Sequence, residues 1–106
     1  MTAAGDRRQA LGSAAFGQGW LADAAAIVVF AGVLERTKRK YGQRAERYVH
    51  IEVGHAAENL FLQAVSLGLG SVPVGAFSDD QVAEVLQLPV DKRAYLLMPV
   101  GRSVSP

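Results

Sequence analysis

"YVHIEVGHAAENLFLQAVSLGL", residues 48–69, is apolar at nearly every turn position. Tyr48, Val49, Ile51, Val53, Ala56, Leu60, Phe61, Ala64, Val65 and Leu67 leave no wholly polar side. Read as a helix, the segment is about 33 Å long at 1.5 Å per residue. A helix that is apolar all round is buried on all sides. A chain of 106 residues has little material to surround it, since folding at this size buries roughly 65% of the unfolded surface. The stretch therefore predicts a central helix covered in part by a second copy of the chain or by a partner.

The neighbours on either side supply a sheet. "AAIVVFAGV", 25–33, is β-branched, aromatic and apolar on both faces, as is "RAYLLMPVGR", 93–102. Strands of that kind are covered on both sides. Asp6 to Ala22 reads as a helix weakened by Gly12, Gly17 and Gly19. "LERTKRKYG", 34–42, reads as a short charged helix or turn. Gly68 and Gly70 suit the end of the long helix. "SVPVGAF", 71–77, reads as a strand interrupted by Pro73 and Gly75. Ser78 with Gln81 three residues on is a capping-box signal for a helix reaching about Gln87. The expected fold class is α+β: one domain over residues 1–106, a small covered sheet around a long apolar helix.

Composition narrows the function. Hydrophobic residues make up 50% and charged residues 20%, with a net charge of +1 and a pI near 8.1. That balance points to neither nucleic acid nor an acidic membrane surface. The chain has no cysteine, so disulfide, thiolate and cysteine–zinc chemistry are closed to it. The opening "MTAAGDRRQALG" has no apolar signal core. The longest unbroken apolar run, Ala24 to Ala31, is far short of the ~20 residues of a spanning helix. The expected location is the cytoplasm.

Catalytic side chains are scarce. Glu52, His55 and Asn59 can share one helix face, with Glu58 beside them. The second histidine of a zinc-binding helix pair is absent, because His50 lies five residues from His55. These groups read as hydrogen-bonded across a helix contact, with no metal assigned. Ser66, Ser71 and Ser78 lack the G-x-S-x-G setting of a nucleophile. The glycines of 68–75 lie after a helix and before a strand, the reverse of a Rossmann turn. The cations of 38–47 around Tyr41 are interleaved with Glu46 and follow Glu35, and read as a solvated face. Trp20 reads as a core or interface anchor.

Two features remain. The broken strand at Pro73, Val74, Gly75 and Ala76 offers bare backbone, which a flat ligand can approach. Arg102 after Gly101 offers a planar fork of donors suited to a phosphate. A ring near one and a phosphate near the other describe a nucleotide-like cofactor.

The segment "RYVHIEVGHAAENLFLQAVSLGLGSVPVGAF", 47–77, resembles the central helix and following strand of the FMN-dependent nitroreductases. The similarity is greatest to the branch that oxidises azolines in modified peptides. "WLADAAAIVVFAG", "LERTKRKYGQRAERYVHIEVGHAAENL" and "LLMPVGR" fit the same pattern in order, from about Arg8 to Arg102. The resemblance implies an intertwined homodimer with FMN at the interface, Pro73 to Ala76 along the flavin ring, and Arg102 near the phosphate. A backbone N–H matching Gly75 or Ala76 would point at flavin N5. It implies hydride transfer between NAD(P)H or a peptide azoline and a second substrate, with no catalytic side chain. Members of the family are about twice this length, and their N-terminal half carries a phosphate-binding segment. The chain thus corresponds to the C-terminal half, with an N-terminal half or partner chain to complete it. The alternative is a shortened dimerisation or partner-binding module that has lost the cofactor.

Overall fold

A computed structural model describes residues 5–102. Residues 1–4, the start of the stretch without a signal core, and 103–106 lie outside the described residues. Four α-helices and three strands alternate: α1 (Arg8–Ala14), β1 (Ala26–Gly32), α2 (Leu34–Tyr41), α3 (Ala45–Ser66), β2 (Leu69–Ser71), α4 (Asp79–Leu86) and β3 (Arg93–Arg102). Short 3-10 turns, Gly19–Asp23 and Gly42–Arg44, precede β1 and α3. The class is α+β, as expected.

The sheet is antiparallel in the order β1-β3-β2. β3 is central because Leu97 and Met98, both fully buried, face opposite ways from one strand. Ala94 and Leu97 join Leu11, Leu21, Phe77 and Val82 in a core beneath α1 and α4, with Ile27 and Val29 of β1 packed against it. Positions 94 and 97 have opposite parity, yet they share this face. A bulge between Phe30 and Ala31 leaves Tyr95 unpaired and resets the alternation. Tyr95 then meets His50 of α3 edge-to-face at 5.5 Å, on the other side of the sheet. β3 is thus covered on both sides, as expected, whereas β1 at the sheet edge has no buried residue: Ala26 and Ala31 are exposed and the rest are half-buried.

α3 buries only a seam. Ala45, Val49, Ala57 and Ala64 are its buried residues. Within a single chain, burial on all sides does not hold: Ile51, Leu62, Val65 and Leu67 are exposed. The helix begins three residues before the expected Tyr48 and ends at Ser66. Gly68, with φ +74°, turns the chain in the left-handed region that favours glycine. Gly70 instead sits inside β2, opposite Gly101.

The first helix is also shorter than the expected 6–22. It stops at Ala14, and positive φ at Phe16 and Gly17 then reverses the chain. Gly12 has a positive use here: a Cβ on it would meet the Gln18 carbonyl oxygen at 3.2 Å. Its bare backbone lets the turn fold back onto α1. Ser78 caps α4 as expected, its Oγ accepting the Gln81 N–H at 3.3 Å. Asp79 and Asp80 in the first turn suit the positive helix end.

Candidate functional site

The expected strand over 71–77 is corrected by the structure. β2 stops at Ser71 because Pro73 has no N–H for a ladder. Only Val74 bridges to β3, donating to the Leu97 carbonyl at 2.8 Å and accepting from the Leu97 N–H at 3.0 Å. The Val74 side chain is buried in the core, whereas Pro73, Gly75 and Ala76 are exposed.

The segment is held at both ends. After Val74, Phe77 is buried again, and the Ser78 N–H donates to the Ala14 carbonyl at 2.8 Å. Between these anchors, the N–H groups of Gly75 and Ala76 find no acceptor among the described residues. The Ala76 carbonyl accepts from Gln18 Nε2 at 3.0 Å, and the same nitrogen donates to the Ala15 carbonyl at 2.8 Å. Gln18 is therefore a positioning residue that the sequence reading missed. Its only signal is a lone polar side chain inside "FGQGW". A Cβ on Gly75 would lie 3.7 Å from Leu96 Cδ2, an ordinary contact. Packing within the chain does not require glycine there.

Arg102 ends β3 opposite Leu69, is exposed, and forms no ion pair among the described residues. It lines a hollow of about 720 Å³ with Gly101, Gly70, Ser71, Trp20 and Arg8. Ser71, at the lining of the hollow, has a buried Oγ without a hydrogen-bond partner among the described residues. Arg8 is already engaged, bonded to the Ala24 carbonyl and paired with Asp6 at 2.8 Å. The pairing holds the Asp6 carboxyl down to about 2, chiefly through the Arg8 hydrogen bond.

The hollow does not include Pro73 to Ala76. Leu97, opposite Val74, and Arg102 are five residues apart on β3, about 17 Å of strand. The expected ring and phosphate contacts thus lie along one strand, joined through Val72 and the orphaned Ser71 hydroxyl, and not in one pocket. Two free backbone N–H groups, one unmet hydroxyl and one unpaired guanidinium fit a flavin mononucleotide in kind: ring acceptors at one end, a dianion at the other.

The other candidates lie elsewhere. Glu52, His55, Glu58 and Asn59 are exposed and not hydrogen-bonded across a helix contact, which corrects the reading from sequence. No cluster of three metal-binding side chains occurs among the described residues. Trp20 is 47% exposed, so it is not a core residue. No helix among the described residues is long and apolar enough to cross a membrane.

Comparison with known proteins places this geometry. A nitroreductase-family protein of Methanocaldococcus jannaschii is 49% identical over 94 residues, which is 89% of this chain and 46% of that protein. The crystal structure of a nitroreductase-like protein from Anabaena variabilis superposes with a TM-score of 0.85 at 36% identity, over 94% of this chain and 20% of that one. The NADPH:FMN oxidoreductase of Vibrio harveyi, solved with NAD+, gives a TM-score of 0.77 at 27% identity, over 94% and 49%. The chain spans about half the length of the curated relative it matches. The Nitroreductase family model matches residues 2–102, and the chain belongs to the nitroreductase family.

Proposed function

We propose that this chain forms the flavin-ring side of a cytoplasmic FMN-dependent oxidoreductase of nitroreductase type, working as a homodimer. The observation that carries the reading is the bare backbone at Gly75 and Ala76, two N–H groups without acceptors held between fixed anchors. The Vibrio harveyi neighbour, named for its use of NADPH and FMN, supports the same cofactor.

FMN, when bound, supplies hydride chemistry at its N5 atom. The chain's residues supply position. Val74 and Phe77 fix the height of the segment over β3. Gln18 fixes its outward bow. The Gly75 or Ala76 N–H would donate to a ring acceptor, and Pro73 limits the backbone to one approach. Arg102 with Ser71 would hold the phosphate and the hydroxyl-bearing chain. These donors are held in place before any ligand arrives. The hydride donor is NAD(P)H or, as in the azoline-oxidising branch that the sequence resembles, a heterocycle in a modified peptide.

A second reading, a dimerisation module without cofactor, has one observation behind it: the exposed Leu62, Val65 and Leu67 of the α3 region. Both readings give a dimer, so FMN titration separates them. The first expects the visible absorbance bands of flavin to shift on binding, with stoichiometric uptake. A protein that takes up no FMN at any concentration leaves the second.

A further inference from the structure

We propose that the groove between α2 and the first half of α3 binds an acidic, partly apolar peptide segment in extended form. The proposal does not depend on bound flavin.

Charge is unevenly divided along the chain. Between residues 35 and 47, six of the eleven lysines and arginines stand against two acids, Glu35 and Glu46. That segment carries a net +4 and the rest of the chain a net −3. Among the described residues only Lys38 forms an ion pair there, at 3.4 Å to Glu35 on an exposed surface. A single-sign field on a nearly neutral molecule steers an anionic partner to one face.

The groove has a volume of about 670 Å³ and is lined by Arg36, Lys40, Tyr41, Tyr48 and Ile51, with Thr37 alongside and Glu52 and His55 toward α3. Its floor is apolar: Tyr41 and Tyr48 meet edge-to-face at 5.0 Å, and Ile51 is 48% exposed. The cations are already positioned. Lys40 Nζ lies 5.3 Å from the Tyr41 ring centre, and Arg44 lies 5.8 Å from that of Tyr48 while its Nε donates to the Tyr48 hydroxyl at 3.1 Å. Such contacts reduce the ordering cost of recruiting long side chains.

Shape selects the occupant. Arg36 and Lys40, the two cations lining the groove, are one turn apart, about 6 Å along α2, so they form a short row along the helix. A single phosphate is better met by converging donors. Single-stranded nucleic acid binds by stacking bases on free ring faces. Here the rings are set edge-to-face, with Lys40 and Arg44 over them. An extended peptide, advancing about 3.3 Å per residue, can set carboxylates along the row and apolar side chains against Ile51 and the tyrosine ring edges. Glu52 is the one acid lining the groove, and it would repel a carboxylate at that end.

The test uses a fluorescein-labelled ten-residue peptide of alternating Glu and Leu, read by anisotropy, with amide NMR shifts locating the site on the whole chain. Binding should weaken at least tenfold between about 50 and about 500 mM salt. It should shift the amides of Tyr41, Tyr48 and Ile51. Arg36→Glu with Lys40→Glu should cost about tenfold or more in affinity. Lys38→Glu with Arg39→Glu makes the same charge change on α2 outside the groove lining and should cost much less. Equal losses from both pairs would reduce the groove to a diffuse charged face and overturn the proposal. So would shifts confined to other elements, no binding, or tighter binding of a single-stranded oligonucleotide of equal charge.

Discussion

The two faces of the sheet are built on opposite plans. Under α1 and α4, large side chains interlock: Leu21, Val82 and Leu97 are fully buried and Phe77 nearly so. Under α3, the helix itself buries only three alanines and a valine, the sheet supplies the fully buried Met98, and the bulk of the helix points outward. The first face is complete within one chain. On the second, the helix meets the sheet through small residues and presents Leu62, Val65 and Leu67 to whatever lies beyond. The face that looked like the heart of the fold in sequence is thus the half-finished one. The contrast suits the homodimer proposed above, with the Pro73–Ala76 backbone held from the finished side.

Substitutions can break that contrast, and the largest effect belongs to the complete face. Leu97→Ala should lose about 2–5 kcal/mol, read from chemical denaturation, because it opens a cavity where no neighbour can collapse. Ala57→Leu attacks the seam. It should cost about 1–3 kcal/mol by forcing α3 off the sheet. Ser78→Ala removes the α4 cap and should cost about 1 kcal/mol. Val65→Glu should shift stability by less than about 0.5 kcal/mol in the isolated chain. If the proposed dimer forms through α3, it should nonetheless abolish self-association in sedimentation, since the side chain is 70% exposed in the single chain. Smallest is the Asp6–Arg8 pair. The folded Asp6 carboxyl is held down to about 2, so its contribution is present above pH 4 and fades as pH falls toward 2. Both partners are solvent-exposed, so the effect should appear only as local fraying of α1 in amide exchange below pH 4.

Much of this was legible in the sequence, for physical reasons that can be named. β1 and β3 announced strands through β-branched apolar runs, although only β3 is covered on both sides, and Ser78 announced a helix start through a local capping signal. The Arg93–Arg102 limits of β3 match the sequence reading. What local pattern could not show was which side of an evenly apolar helix would be buried. The choice of the Ala45, Val49, Ala57 and Ala64 seam comes from the close approach of the sheet, a tertiary property. The break at Pro73 and Gly75 was legible, but not that Val74 alone would bridge back to Leu97 between them. The Gln18 tether was hidden for the same reason, since it joins residues 58 apart in sequence. The Pro73–Ala76 stretch stood out as a motif, but the Gln18 contact at its outward bow is long-range.

The central claim is that the free N–H groups at Gly75 and Ala76 receive a flavin ring. Gly75→Pro tests it most directly. It removes one of those N–H groups and asks Val74 for the extended backbone it already adopts in its bridge to Leu97. FMN titrations of the parent chain and this variant, followed by flavin fluorescence, should show binding by the parent and at least a tenfold loss in the variant, with unchanged circular dichroism. Equal affinity in the two proteins would contradict the account.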